Sequence, residues 1–171
     1  MKTFATFAWT LLVVMMMGFT SCGDDNNGPS FTPEQEAYMK KNLEFFEMKK
    51  AEKAENGELK YKQVVLDGQV ALYRITKKEN NYTAFPNMNT IVEIHNMEGK
   101  LIDGTVFQKN IEKANFTVNQ LIPGMAIILT KLHADETVEA IIPASLGYGD
   151  RAMATVPAGS TLIFTFTLFN F

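Results

Sequence analysis

Residues 161–169 read TLIFTFTLF, which is the clearest strand pattern in the chain. Every second position holds a large apolar residue: Leu162, Phe164, Phe166 and Leu168. Thr165 and Thr167 fall between them, on the opposite face of an extended chain. Strands with this period bury one face and leave the other polar, which is typical of antiparallel sheets. The stretch therefore predicts an antiparallel sheet with one buried face.

The residues before this strand indicate further strands and one short helix. From Thr90 onward the pattern is mainly extended, with a helical stretch around Met125–Leu132 that follows Pro123-Gly124. Strands on both sides of a single helix favour an α+β domain in which an antiparallel sheet wraps around that helix.

A β-hairpin is predicted ahead of these strands. Leu59–Leu66 and Gln69–Thr76 carry strand residues, and Asp67-Gly68 between them is the signal for a type I′ turn. The polar segment Lys77–Asn89 then connects the hairpin to the rest of the chain.

The sequence also predicts an N-terminal helix. Thr32 suits the N-cap, Pro33 suits the first helical position, and Gln35 completes a capping box. We expect the helix to run to about Glu55, where Asn56-Gly57 stops it. Its apolar residues recur at helical spacing: Met39, Leu43 and Phe46, with Phe45 beside them. This stripe fits a helix packed on its own domain, and it also fits an arm that forms a homodimer or binds a partner.

Residues 1–21 have the layout of a secretory signal peptide. Lys2 precedes the apolar run Phe7–Phe19, which is shorter than the roughly 18 residues that a membrane span needs. Cys22 resembles the lipidated first residue of a mature bacterial lipoprotein. We therefore expect an exported protein with a lipid anchor at Cys22, on the periplasmic or surface face of a bacterial outer membrane. Residues 22–31 would be a flexible tether.

Several kinds of chemistry are not expected. The 16 basic and 19 acidic residues give a net charge of −3, which disfavours nucleic acid as a partner. Cys22 is the one cysteine, so a disulfide framework is excluded. His95 and His133 share no metal-ligand spacing, and we expect neither a metal nor a cofactor.

Five ordered segments carry a resemblance to a known family. They are VEIH with GKLIDGTVF (92–95 and 99–107), QLIPGM (120–125), IPASLGYG (142–149), VPAGSTLIF (156–164) and the strand to Phe171. Each segment alone is a weak signal, but their order and spacing together are specific. The set resembles the FKBP-type peptidyl-prolyl cis-trans isomerases.

The resemblance implies a fold and an activity. The fold would be an antiparallel half-barrel sheet wrapped on a short helix, with residues 32–89 as an N-terminal helix and hairpin extension and 90–171 as the isomerase domain. The activity would be isomerisation of X-Pro bonds in proline-containing polypeptides during the folding of exported or surface proteins. Amide resonance gives that rotation a barrier of about 18 to 20 kcal/mol. A water-poor pocket with a donor for the carbonyl oxygen lowers it without a cofactor, a nucleophile or a metal.

The family's site roles fall on matching positions of this chain. The catalytic set would be Phe107, Ile122, Tyr148 and Phe164. The substrate-binding set would be Ile94, Gln108, Leu121, Met125 and Val156. The Ile122 backbone N–H and the Tyr148 hydroxyl would donate hydrogen bonds to the peptide. Without the resemblance, Phe107, Ile122, Val156 and Phe164 would be predicted simply as core residues.

Three positions differ from the residues usual in that family. Met125 replaces a Trp on the pocket floor, Ile94 replaces a Tyr, and Gln108 replaces an Asp. A methionine keeps the floor apolar but is flexible and supplies no flat ring. The alternative hypothesis is therefore a module that binds proline-containing or unfolded chains, as a chaperone or adaptor, with weak catalysis.

Overall fold

The structure is a computed structural model that describes residues 30–171. The expectations for the signal peptide, for Cys22 and for most of the tether lie outside the described residues. Within residues 30–171, no helix has both the length and the apolar character that crossing a membrane requires.

Across residues 30–171, six strands form one antiparallel sheet in the order β1-β2-β5-β6-β3-β4. The predicted α+β class with an antiparallel sheet is confirmed. Short 3₁₀ turns follow β4, at Val118–Gln120, and β5, at Ala144–Leu146. In chain order the helices and strands are α1 (Pro33–Ala51), β1 (Lys62–Leu66), β2 (Gln69–Lys78), β3 (Ile91–Lys100), β4 (Val106–Thr117), α2 (Pro123–Leu129), β5 (Glu136–Ile142) and β6 (Leu162–Asn170).

Strand β6 is the apolar stretch at residues 161–169, and it lies between β5 and β3. The predicted alternation is confirmed, because Leu162, Phe166 and Leu168 are completely buried while Thr165 is exposed. The apolar face of β6 packs in the main core together with the buried side chains of α2. This contact fixes the short helix against the sheet.

The predicted hairpin turn is confirmed. Asp67 and Gly68 both have positive φ, at 48° and 78°, as a type I′ turn requires. Strand β2 also pairs with β5, so the hairpin continues the same sheet as the C-terminal strands.

Helix α1 begins as predicted and ends earlier than predicted. The capping box is present, with the Thr32 side chain and the Gln35 side chain each accepting from the other residue's backbone N–H. The expected end near Glu55 is wrong, because the helix ends at Ala51. The backbone beyond it folds back on itself instead, with the Lys60 N–H donating to the Glu52 carbonyl at 2.8 Å.

Helix α1 packs on its own domain. Phe46 is buried in a second apolar cluster with Tyr61, Leu72 and Ile141, which come from the hairpin side of the sheet and from β5. Leu43, which belongs to the expected apolar stripe, is 59% exposed. The helix therefore contacts the sheet through a narrower face than its sequence suggests.

Candidate active site

The centre of the candidate site is a pair of aromatic rings. Phe107 lies on β4 and Phe164 on β6, and their rings meet edge to face with centroids 5.4 Å apart and planes at 87°. Strand β3 runs between β4 and β6, and its Gly99 stands opposite Phe164 in the register. A Cβ on Gly99 would lie 2.6 Å from the Phe107 ring. The absence of a side chain at Gly99 therefore lets the Phe107 ring reach across β3 to Phe164.

Leu121 and Ile122 form the approach to α2. Both are half-buried and pack against the main core. Ile122 is the N-cap of α2 and is extended, with φ −55° and ψ 145°. No hydrogen bond between residues in the range 30–171 uses the Ile122 amide N–H. This N–H is the donor that the resemblance assigns to the peptide carbonyl.

A second glycine holds the start of α2 close to β5. A Cβ on Gly124 would lie 2.4 Å from Ile142 Cγ2 and 3.2 Å from Leu146 Cβ. Because Ile142 ends β5 and Leu146 lies in the turn that follows, this close approach brings the start of α2 next to the segment that leads to Tyr148. The sequence did not predict the roles of Gly99 and Gly124. A glycine in a strand or helix does not reveal which other residue packs against its missing side chain.

Tyr148 follows the 3₁₀ turn after β5. It is half-buried and packs against the main core. The next residue, Gly149, has a positive φ of 63°, and its N–H donates to the Ala144 carbonyl at 2.8 Å. Within the part of the chain that the structure describes, no side-chain hydrogen bond involves the Tyr148 hydroxyl, and no buried side-chain polar atom lacks a partner, so this hydroxyl is accessible to solvent. The Tyr148 ring is thus fixed by packing, while its hydroxyl can form a hydrogen bond with a bound molecule.

Val156 is placed by a tight turn. Its N–H donates to the Met153 carbonyl at 2.6 Å, and the Met153 N–H donates to the Val156 carbonyl at 2.8 Å. Ala154 within the turn has a positive φ of 45°. Val156 itself is buried in the main core, together with Phe164.

The remaining candidate residues differ in burial. Ile94 and Met125 are 0% and 2% exposed, and both belong to the main core. Gln108 is half-buried, and its side-chain amide donates to the Lys109 carbonyl at 3.0 Å. Eight of the nine candidate residues belong to the main core or pack against it, and Gln108 does not. The candidate apolar residues that remain partly exposed are Phe107, Leu121, Ile122 and Tyr148.

Five surface cavities of residues 30–171 have volumes of about 330 to 540 Å³, and residues outside the candidate set line them. One cavity of about 370 Å³ lies between α1 and the loop after β5, with Leu43, Gly149 and Gly159 among its lining residues. The water-poor pocket that the resemblance implies is not among these five cavities.

Charged groups with shifted pKa values lie outside the candidate set. Burial raises the pKa of Glu139 on β5, but hydrogen bonds from Arg74 at 2.9 Å and from the Tyr61 hydroxyl at 2.6 Å outweigh burial and lower it overall. The candidate site itself contains only neutral side chains. Within residues 30–171, no group of three or more His, Cys, Asp or Glu side chains is placed to hold a metal ion. The site therefore offers an apolar surface with hydrogen-bond donors.

Comparison with known proteins defines the class. The family model for FKBP-type peptidyl-prolyl cis-trans isomerases matches residues 82–169, which is more than half of the chain. The chain therefore belongs to the FKBP-type peptidyl-prolyl cis-trans isomerase family.

Individual relatives show how far the similarity extends. The FKBP-type 22 kDa peptidyl-prolyl cis-trans isomerase of Escherichia coli is 44% identical over 85 residues, which are 47% of this chain and 41% of that protein. The outer membrane protein MIP of Legionella longbeachae is 41% identical over 76 residues, which are 42% of this chain and 33% of that protein. The matches thus span less than half of these relatives.

Solved structures match the fold over most of the chain. A peptidyl-prolyl cis-trans isomerase from Pseudomonas syringae aligns with a TM-score of 0.67 at 22% identity, over 82% of this chain and 97% of that one. FkpA from Escherichia coli aligns with a TM-score of 0.58 at 25% identity, over 80% of this chain and 59% of that one. The FKBP-like fold is therefore confirmed.

Proposed function

We propose that this chain catalyses cis-trans isomerisation of X-Pro bonds in polypeptides. The observation that carries the proposal is the edge-to-face pair of Phe107 and Phe164. The Ile122 N–H and the Tyr148 hydroxyl would stand beside this pair, and neither makes a hydrogen bond within residues 30–171. Membership of the isomerase family supports the same assignment.

The proposed chemistry needs an apolar surface and a donor. The barrier of about 18 to 20 kcal/mol comes from amide resonance, which is lost when the C–N bond twists. The twisted amide is less polar than the planar one, so an apolar surface favours it relative to water. The proline ring would lie against Phe107 and Phe164, with Val156 and Met125 behind them, and water would be excluded from that side of the peptide.

The two donors would act on the peptide backbone. The Ile122 N–H would donate to a carbonyl of the bound segment and hold the chain on one side of the rotating bond. The Tyr148 hydroxyl would donate to a second carbonyl and orient the segment. Neither donor has to be withdrawn from a hydrogen bond inside residues 30–171 before it binds substrate.

A second candidate function rests on the composition of the floor. Met125 is 2% exposed and Ile94 is completely buried, and the floor that they would form is aliphatic. A flexible methionine adapts to varied apolar groups but presents no rigid aromatic face. The same site would then bind proline-containing or unfolded segments as a chaperone or adaptor with little turnover.

An isomerase assay on the purified full chain separates the two functions. The rate of a proline-limited refolding reaction would be measured with and without the protein, and binding of a proline-mimicking macrolide would be measured in parallel. Acceleration supports the isomerase. Macrolide binding without acceleration supports the binding module, and the absence of both overturns both proposals.

The proposed location is an exported site at a bacterial outer membrane, with clients among exported or surface proteins. The support is the signal-like segment at residues 1–21 and Cys22 directly after it. The Legionella relative is named an outer membrane protein, which is in line with this location. Labelling of the full chain with a fatty-acid analogue, compared with Cys22→Ser, tests the anchor. Equal labelling of both chains would overturn it.

A homodimer through α1 is a separate proposal. Leu43 and Met48 on this helix are 59% and 57% exposed and are free to contact a second copy. Light scattering over a range of concentrations tests it, and a mass that stays monomeric throughout would overturn it.

A further inference from the structure

A buried asparagine on α1 binds the chain just before β6. Asn42 is 1% exposed, and its side-chain carbonyl accepts from the Thr161 backbone N–H at 2.8 Å. Its side-chain amide donates to the Tyr38 carbonyl at 2.9 Å. The Thr161 hydroxyl in turn donates to the Asn42 backbone carbonyl at 3.1 Å. Asn42 and Thr161 are both buried, so their polar groups depend on these protein partners.

Two further contacts join the same helix to the same segment. The Tyr38 hydroxyl is 2.9 Å from Ser160 Oγ, and the Ser160 hydroxyl donates to the Pro157 carbonyl at 2.6 Å. Met39 lies over Gly159, where a Cβ would come within 2.3 Å of Met39 Cγ. Gly159 also has a positive φ of 73°, which a residue with a side chain adopts only with strain.

Residues 157–161 connect three members of the candidate site. Val156 comes directly before this segment, and Phe164 lies three residues beyond it on β6. The Gly159 N–H donates to the Gly149 carbonyl at 2.9 Å, and Gly149 directly follows Tyr148. A shift of residues 157–161 would therefore move Val156 and Tyr148 relative to the aromatic pair.

We infer that α1 is a positioning element of the candidate isomerase site, with Asn42 and Tyr38 as positioning residues that hold residues 157–161. The inference rests on the proposed function, because it concerns the geometry of that site. Neither residue contacts the substrate in this arrangement. Asn42 and Tyr38 act by holding Val156 and Tyr148 in place. Replacing Asn42 or Tyr38 therefore lowers catalysis by making the site less rigid.

Paired Tyr→Phe substitutions separate positioning from general stability. Tyr38→Phe removes the hydroxyl that contacts Ser160, while Tyr61→Phe removes a hydroxyl that donates to Glu139 at 2.6 Å and not to residues 157–161. We expect Tyr38→Phe to lower kcat/KM by about fivefold, the ratio that corresponds to one ordinary hydrogen bond. Tyr61→Phe should leave kcat/KM unchanged when both variants are assayed well below their unfolding midpoints.

A double-mutant cycle identifies the contact responsible. Ser160→Ala removes the bond to Tyr38 and also the bond to the Pro157 carbonyl. If Tyr38 acts through Ser160, the double variant Tyr38→Phe with Ser160→Ala therefore loses no more activity than Ser160→Ala alone. Asn42→Ala, if it folds, should have a larger effect than Tyr38→Phe, since it leaves the buried Thr161 N–H without an acceptor. Independent, multiplying losses in the cycle would overturn the role of this contact.

Amide spectra provide a readout that does not require activity. In the ¹⁵N-labelled chain, Tyr38→Phe should shift the amide signals of Gly149 and Val156 and speed hydrogen exchange at Gly159, whereas Tyr61→Phe should not. If the wild-type chain is inactive and these changes still occur, the proposed function fails while the positioning contact stands. If the chain is active and neither activity nor spectra respond to Tyr38→Phe, the inference is wrong.

Discussion

The ring of Phe107 occupies the space that a side chain at Gly99 would need. A Cβ there would lie 2.6 Å from Phe107 Cζ and 2.9 Å from Cε2. Gly99 does not have a positive φ, so its role is to leave room and not to permit an unusual backbone. The aromatic pair of the candidate site therefore depends on a missing side chain on the strand between its two members.

Gly99→Ala should impair the site more than the fold. The new methyl group forces the partly exposed Phe107 ring away from Phe164, and overpacking of this kind costs about 1 to 3 kcal/mol. We expect kcat/KM to fall by about tenfold, as for a displaced substrate contact. Denaturant unfolding and the isomerase assay measure the two effects.

Gly68→Ala is the matched control for this substitution. A Cβ on Gly68 meets nothing within 4 Å, but its φ of 78° makes alanine unfavourable. The control should lose about 1 kcal/mol of stability and no activity. If Gly99→Ala keeps full activity, the geometry of the aromatic pair does not matter for function.

Tyr148→Phe should lower activity without lowering stability. Because its hydroxyl has no hydrogen bond within residues 30–171, its removal should change the free energy of unfolding by less than about 0.5 kcal/mol. Loss of a donor to the peptide should lower kcat/KM by about fivefold. Full activity of the variant, measured beside the wild type, would exclude Tyr148 as a donor.

Phe107 and Phe164 should respond differently to replacement by leucine. Phe164 is 5% exposed, so Phe164→Leu should lower the free energy of unfolding by about 1 to 3 kcal/mol. Phe107 is partly exposed, and Phe107→Leu should cost less than about 1.5 kcal/mol. Both variants should lose activity, because each removes one ring of the pair. A fully active Phe107→Leu variant, confirmed as folded by circular dichroism, would contradict the proposed site.

Glu139 should make stability depend on pH in the acid range. Burial opposes its charge, but Arg74 and Tyr61 together hold its folded-state pKa below the usual value. The charged group thus stabilises the fold above the unfolded-state pKa of about 4.3, and this contribution is lost as pH falls through the lower folded-state pKa. Urea unfolding of the wild type should weaken more steeply below about pH 5 than that of Glu139→Gln. Parallel profiles for the two proteins would show that Glu139 is not involved.

The sequence predicted the helix start, turn and strand that depend on residues close together in the chain. The alternation in residues 161–169, the capping box at Thr32 and the turn at Asp67-Gly68 are all present in the structure. The helix end near Glu55 was wrong because the backbone of residues 52–60 bonds to itself, which no periodicity reveals. Hydrogen bonds between two segments decide where such a helix ends, and the sequence of one segment alone does not reveal those bonds.

The candidate site came from the family resemblance and not from residue pattern. Apolar residues such as Phe107 and Val156 have the same signature as any core residue. The buried polar contact between Asn42 and Thr161 joins residues 119 positions apart, and an asparagine within a charged helix gives no sign of burial. Only the distances in the folded structure reveal that Gly99 contacts the aromatic pair and that Asn42 binds the segment before β6.

The position of β6 has a consequence for how the protein is made. This strand joins β5 on one side to β3 on the other, so it links two groups of strands that otherwise share no edge. It also follows all the other described strands in the chain. During synthesis, a nascent polypeptide must therefore wait for residues 162–170 before its sheet can close, and such long-range pairing is slow. Until then, the groups β1-β2-β5 and β3-β4 have no common edge that would hold them in one sheet.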